Sequence, residues 1–487
     1  MSSATTAERR AGLFLLALVA GGGLLRFYRL GSNSLWIDEF ATLQISSLPF
    51  SEIFRANLSN NSFEPPLYFW LIHGIVRVLG SSETAIRLPS AIAGSLTIPV
   101  VWLLAREMTA NLNTAHLTAT LLTFNPLHLW YSQEARPYAM LVLAACLATV
   151  FLARALRSSS RGAWLGFTGF TALAVFIHLV GLVLLLVAWV WGIVDAKRQQ
   201  LVRPLLGSSA VVLACAGPLA ISIALASARI PGTGSPPRPP TGLEIPYTVL
   251  SYVTGYSFGP SLRDIQNLGP TAALAAHPIE SALAIVAVAG LLILITRHHQ
   301  ACLTGFTVLF ASYVGVIFLA SVITGKAYSI RYTLPGLIGF LGLIAVALRS
   351  SRAPLGRALP ALLLILFAWA DAQWFFSPSY WKDDSRAAVR WLSGHLPPGS
   401  KVAVAPDYAI RILTHYAGEQ SAEFQIVPAI PNERWTNDAP VALVLTRLHH
   451  VPDHANLVAT FRRMAGGSLL NHRGLGYDVY VRQSAQR

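Results

Sequence analysis

The sequence predicts a polytopic α-helical membrane protein that ends in a small α/β domain. Three observations carry that fold class. Apolar runs of membrane-spanning length recur from the N-terminus to about residue 373. Hydrophobic residues make up 54% of the 487 and charged residues only 12%, with a mean hydropathy of +0.53, which is too apolar for an ordinary soluble protein. After Gln373 the charges return, and short apolar segments alternate with amphipathic ones. The net charge is +14, but the Lys and Arg residues sit in small clusters between apolar runs and form no basic face or tail. The excess therefore reads as membrane topology, with no nucleic acid among the partners. Cys146, Cys215 and Cys302 all lie in apolar runs, which predicts buried structural thiols and no disulfide framework. Arg9-Arg10 before an apolar stretch without a small-residue cleavage site predicts an uncleaved first helix.

A span needs about 20 apolar residues, within a range of roughly 17 to 25. The first runs from Gly12 to Tyr28. The next five are Ala85 to Leu104, Thr114 to Trp130, Tyr138 to Leu156, Ala163 to Ile177 and Leu179 to Val194. Pro204 to Ala226, Ser281 to Thr296, Cys302 to Thr324, Tyr332 to Leu348 and Leu355 to Gln373 follow, giving about eleven spans of this length. Pro65 to Leu79 is short and carries His73 and Arg77, so it reads as an interfacial or re-entrant helix. With the N-terminus inside, the basic clusters at Arg9-Arg10, Arg106, Arg154 to Arg161, Lys197 to Arg203, Arg297 and Arg349 to Arg357 then all fall in cytoplasmic turns. This parity assigns residues 1–375 to the membrane domain, with outer-face loops 29–84 and 227–280. It assigns residues 376–487 to an extracytoplasmic domain of a protein of the cell inner or plasma membrane.

Leu48 to Leu58 reads as an amphipathic piece lying along the interface. The Pro- and Gly-rich stretch around Pro231 to Pro240 predicts that the Ile230 to Pro278 loop is irregular and long enough to act as a lid. In the C-terminal domain, Ser385 to Leu392 reads as a helix start. Lys401 to Ala405, Phe424 to Val427 and Val441 to Thr446 read as short buried strands.

No GxxxxGK[ST] or GxGxxG follows a predicted strand, which argues against an ATP-driven pump, and no internal repeat is evident. The cytoplasmic turns are too short to build a nucleotide-sugar site. The polar residues instead gather at the outer ends of spans, in LWIDEF (Leu35 to Phe40), YSQEARPYA (Tyr131 to Ala139) and GKAYSIRYTLP (Gly325 to Pro335). Asp38 and Glu39 beside a membrane helix cost several kcal/mol if they enter hydrocarbon, so such acids face water, a cavity or a reaction partner. Acids and cations converging at this interface suit a lipid-phosphate donor and a hydroxyl acceptor, with a carboxylate to take a proton and Arg or Lys to neutralise phosphate.

These residues resemble the polyprenyl-phosphate-dependent glycosyltransferases of the GT-C superfamily, of the bacterial protein O-mannosyltransferase and lipid A aminoarabinose transferase type (glycosyltransferase family 39-like). The resemblance rests on Asp38-Glu39, Pro65-Pro66-Leu67-Tyr68-Phe69-Trp70, Arg87-Leu88-Pro89-Ser90, Ser132 to Tyr138 and Arg331-Tyr332-Thr333-Leu334-Pro335, taken as an ordered series across most of the membrane portion. It implies a membrane enzyme that moves a sugar from a polyprenyl-phosphate donor to a hydroxyl acceptor on a glycolipid, polysaccharide or protein at the outer face. It also implies that Asp38 acts on the acceptor, with Glu39 and Glu134 as further catalytic candidates. Arg136, Tyr138, His178, Lys326, Arg331 and Tyr332 are the substrate-binding candidates. Glu64 stands before Pro65-Pro66, where some relatives carry a basic residue that helps bind the donor phosphate. No cofactor and no metal site are expected; a divalent cation is left open only through Asp38 and Glu134.

Plainer roles stand beside these. Glu39 at a helix start also serves as a first-turn acid. Glu134 and Arg136 make a structural ion pair equally readily, and His178 suits a satisfied polar residue at a span boundary. Lys326 and Arg331 suit snorkelling anchors, and Trp36, Trp70, Trp130 and Tyr131 suit an interface belt. A lipid-linked sugar flippase is the alternative function, and a membrane subunit that binds partners through its C-terminal domain is a third. A transporter, however, predicts paired halves with polar residues at the bilayer midplane, whereas the polar residues here cluster at one face.

Overall fold

The structure is a computed structural model and describes residues 2–59, 64–194, 198–229, 240–298, 305–351, 354–420, 423–429, 439–447, 450–451, 453–465 and 468–483. The chain divides into two compact units. The larger comprises Met1–Leu30, Thr42–Phe258 and Ile279–Ala372, and the smaller comprises Gly31–Ala41, Gly259–Pro278 and Gln373–Arg487.

The larger unit is helical. Its helices are α1 (Ser2–Phe27), α3 (Phe50–Ser59), α4 (Leu67–Leu79), α5 (Glu83–Thr109), α6 (Leu112–Thr123), α7 (Pro126–Ser132), α8 (Tyr138–Ser158), α9 (Arg161–Ile177), α10 (Val183–Val194), α11 (Arg198–Arg229), α12 (Glu244–Thr254), α15 (Pro278–Arg297), α16 (Gly305–Thr324), α17 (Leu334–Ser350) and α18 (Pro354–Phe376). The intervening helix α2 (Ile37–Ser46) begins in the smaller unit and ends in the larger. Eight helices among the described residues are long and apolar enough to cross a membrane; Leu67–Leu79, Arg161–Ile177 and Leu179–Val194 are shorter apolar helices.

Local chemistry sets the breaks. Asn125 accepts from the His128 amide and Pro126 occupies the first helical position, so α7 starts afresh after α6. The single span expected over Thr114 to Trp130 is therefore two helices, a break that its apolar composition conceals. Ser82, Asn111 and Ser160 accept from the third residue of α5, α6 and α9 in the same way. Glu107, near the end of α5, bridges to Arg154 at 2.8 Å and to Arg157, which ties the α5 and α8 ends together.

Two further expectations need correction. The Ile230 to Pro278 loop is not irregular throughout: α12, α13 (Leu262–Leu268) and α14 (Pro270–Ala276) lie in it, α13 starting at the Ser261 and Asp264 capping box and α14 at Pro270. Its Pro-rich part up to residue 239 lies outside the described residues. Cys146 is buried but Cys215 is exposed, because an apolar residue on a membrane helix has no need to face the bundle; Cys302 lies outside the described residues.

The smaller unit contains a five-stranded sheet in the order β2-β1-β3-β5-β4. β1 (Lys401–Ala405) runs parallel to β2 (Gln425–Pro428) and β3 (Ala442–Thr446), and β5 (Tyr477–Arg482) pairs antiparallel with β3 and with β4 (Leu469–Gly474). α19 (Ser385–His395), α20 (Ala409–Glu419) and α21 (His454–Met464) complete it. Leu443 and Leu445 of the fully buried β3 pack with Ala403, Leu457 and Phe461 as one core. The three strands expected from sequence are present. The β4–β5 hairpin was not expected, because β4 reads LLNHRG and only partly buries its residues, which leaves no clean apolar alternation to read.

Candidate active site

In the larger unit, the stretch Glu134 to Tyr138 between α7 and α8 brings the candidate residues together. Gln133 anchors it from one side: its side-chain nitrogen lies 3.2, 3.1 and 2.8 Å from the carbonyls of Leu25, Arg26 and Tyr28, satisfying acceptors at the end of α1 that have no helical donor. On the other side the Ser90 hydroxyl donates to the Arg136 carbonyl at 3.1 Å and lies 3.3 Å from the Tyr68 hydroxyl. Arg87 donates to the Leu30 carbonyl at 2.9 Å. The separate sequence motifs around Tyr68, Arg87 and Arg136 are thus one hydrogen-bonded assembly.

Arg136 is buried and forms an ion pair with buried Glu64; its guanidinium also donates to Thr42 at 3.2 Å. The acid that stands where some relatives carry a base is therefore the Arg136 counter-ion, a pairing that 72 residues of separation hid from the sequence. Arg136 and Arg331 lie 5.8 and 5.7 Å from the Tyr138 ring centre, and Arg331 is 5.4 Å from that of Tyr332. His178 lies 5.1 Å from Tyr332 and 5.8 Å from Tyr138, ring to ring. Two guanidinium groups therefore lie close to one aromatic ring, with the charge of Arg136 already met by Glu64.

Glu134 is buried, and its charge acts on Tyr131 and Tyr256, whose hydroxyls lie 3.1 Å apart. Burial pushes the Tyr256 and Tyr328 phenols up, so both remain neutral hydrogen-bonding groups at physiological pH. Lys326 is exposed, and its carbonyl accepts from the Ser321 hydroxyl.

Asp38 and Glu39 occupy the first turn of α2, in the smaller unit. Glu39 is fully buried, accepts from the Trp36 amide at 3.4 Å and lies 3.5 Å from the Lys382 ammonium. It therefore both caps the helix and forms a buried ion pair, while Asp38 is only partly buried. Among the described residues no three His, Cys, Asp or Glu side chains gather as metal ligands.

One buried group was missed by sequence reading. Arg26, with no exposure, donates to the Gly22, Thr123 and Leu122 carbonyls at 2.9, 3.2 and 3.3 Å and lies 2.9 Å from His128 Nδ1. The charge of buried Asp371 in α18 acts on it. The available signal was charge inside an apolar run, which Asp371 shows plainly.

Residues 63–221 match the family model of dolichyl-phosphate-mannose-protein mannosyltransferase. The whole fold matches crystal structures of ArnT from Cupriavidus metallidurans. The form bound to undecaprenyl phosphate gives a TM-score of 0.54 at 16% identity, covering 96% of this chain and 98% of that one; the apo form gives 0.53 at 15%. The chain has the fold of these ArnT structures. An Archaeoglobus fulgidus oligosaccharyltransferase matches at a TM-score of 0.50 and 12% identity, with 96% of this chain and 73% of that one covered. An uncharacterized protein of Aquifex aeolicus is 28% identical over 129 residues, 26% of each chain, so the chain spans about a quarter of that relative's length.

Proposed function

We propose that this protein is a membrane glycosyltransferase that moves a sugar from a polyprenyl-phosphate donor to a hydroxyl acceptor at the outer face of the membrane. The observation that carries the reading is the pair of guanidinium groups, Arg136 and Arg331, at 5.8 and 5.7 Å from the Tyr138 ring centre within a GT-C fold. A phosphate leaving group develops charge as the glycosidic bond breaks, and preorganised cations in a water-poor site stabilise that charge. Asp38 takes the proton of the acceptor hydroxyl, which gives an inverting transfer by a single base. That ArnT was crystallised bound to undecaprenyl phosphate supports a polyprenyl donor here.

The test is transfer by the purified, reconstituted protein, read as release of polyprenyl phosphate from a polyprenyl-phosphate sugar. Arg331→Ala is expected to insert normally and to lose ten- to a hundred-fold in donor KM or turnover, the worth of a charge-assisted hydrogen bond. Unchanged kinetics over a full donor titration move the phosphate assignment to Arg136 alone.

The reading also requires the C-terminal domain on the outer side. An alkaline phosphatase reporter fused after Gln373 is expected to be active and a green fluorescent reporter at the same point dark; the reverse pattern overturns the assigned topology.

A further inference from the structure

Within the smaller unit, the α13 segment, the turn after Trp381, the end of β3 and the β4–β5 hairpin enclose a cavity of about 250 Å³. That is slightly below the range for drug-sized ligands and suits one sugar ring. Arg263, Arg447 and Arg473 line it with Asp383 and Asp478; Arg473 Nε lies 3.5 Å from Asp478 Oδ1, and three guanidinium groups against two carboxylates leave one positive charge in excess. Asp383 holds two of the arginines in place: Arg263 Nη2 donates to Oδ1 and Arg447 Nε to Oδ2, each at 3.2 Å. The seat is exact on the backbone side, because Gly476 has φ +76 and an added Cβ would fall 1.9 Å from Asp383 Oδ1. Arg447 itself sits at φ 46, a left-handed conformation that costs a non-glycine residue free energy and persists where the surrounding structure, here its bond to Asp383, over-determines it. Exposed Gln266 and Asn267 add amide donors and acceptors at the rim, which suit hydroxyl groups.

The same arginine reaches the acidic motif. The Arg447 guanidinium lies 5.5 Å from the Trp36 ring centre, and the Lys382 ammonium lies 5.4 Å from it. Trp36 is two residues before Asp38, and the Glu39 carboxylate lies 3.5 Å from Lys382. One unit therefore holds both the acid pair and a cationic, amide-rimmed cavity beside it.

We propose that this cavity binds the acceptor, and that the acceptor is a saccharide bearing a single phosphate or carboxylate. The anion meets the forked donors of Arg473 and Arg263 while the ring hydroxyls meet Gln266 and Asn267. This deepens the transfer reading by giving the acceptor's class, and its test is a binding measurement without donor, so the two readings fail separately.

The experiment is calorimetric titration of the full-length protein in phosphatidylcholine nanodiscs with glucose 6-phosphate, glucose, inorganic phosphate and an acidic hexapeptide. Glucose 6-phosphate is expected to bind at least tenfold more tightly than glucose or inorganic phosphate. Exposed Arg473→Ala is expected to weaken it about tenfold without changing thermal stability, and Asn267→Ala to weaken glucose 6-phosphate but not inorganic phosphate. Equal binding of glucose, tighter binding of the peptide, or an Arg473→Ala protein with native affinity overturns the proposal. Repeating the titration in phosphatidylglycerol nanodiscs separates the sources of anion: loss of sugar-phosphate binding there assigns the cavity to lipid head groups and overturns the saccharide. Sugar-phosphate binding without any transfer would overturn the glycosyltransferase reading and leave this site standing.

Discussion

Asp38→Asn leaves the protein folded and slows sugar transfer by about 10²-fold to 10⁴-fold, the range that a positioned general base contributes. The substitution keeps the shape of the side chain and removes its charge. Asp38 is partly buried at the start of α2, so thermal unfolding should stay close to native. Its neighbour provides the contrast. Glu39 is fully buried 3.5 Å from the Lys382 ammonium, and Glu39→Gln leaves that cation without its counter-charge, which costs about 3–5 kcal/mol for a buried pair. Single-turnover transfer assays together with thermal scans of both variants separate a chemical role from a structural one. A native rate for the Asn variant means that Asp38 is not the base.

Arg26→Ala should destabilise the membrane unit by several kcal/mol, at about 1–3 kcal/mol for a buried acceptor left without its donor. Three carbonyls lose their donor, and the buried Asp371 carboxyl loses the charge of Arg26 that acts on it. Because α1 contributes the carbonyls that hold Gln133, disorder at this point reaches the stretch that carries Glu134 and Arg136. The double variant Arg26→Ala/Asp371→Asn is expected to recover part of the stability, since the buried carboxyl and the cation whose charge acts on it are then replaced together. Thermal unfolding in detergent, followed by intrinsic fluorescence, measures both. An Arg26→Ala protein with a native midpoint would show that the network stabilises nothing.

Much of this molecule was legible because membranes impose simple rules. The apolar runs located helices from α1 to α18, since a span must satisfy its own backbone and expose apolar side chains. The ordered motifs around Asp38, Tyr68, Arg87, Arg136 and Arg331 pointed to the fold later matched by ArnT. The strands β1, β2 and β3 were read from their β-branched and apolar runs alone, although of the three only β1 and β3 are largely buried.

What the sequence left out depended on partners distant along the chain. Nothing local distinguishes Glu64 as the counter-ion of Arg136, 72 residues away, and sequence spacing instead suggested Glu134. Arg26 looked like a basic residue at a span end, yet its acceptors lie on α1, α6 and α7. The break at Asn125 and the partly polar β4–β5 hairpin fail the periodicity test because packing, and not composition, fixes them. Sequence by itself located the long apolar helices and the motifs that the fold brings together, because hydropathy and charge are properties of single residues and short windows. Only the tertiary structure decided which charge faces which, because a buried ion pair is chosen by the geometry of packed helices, and any of several acids could have supplied it.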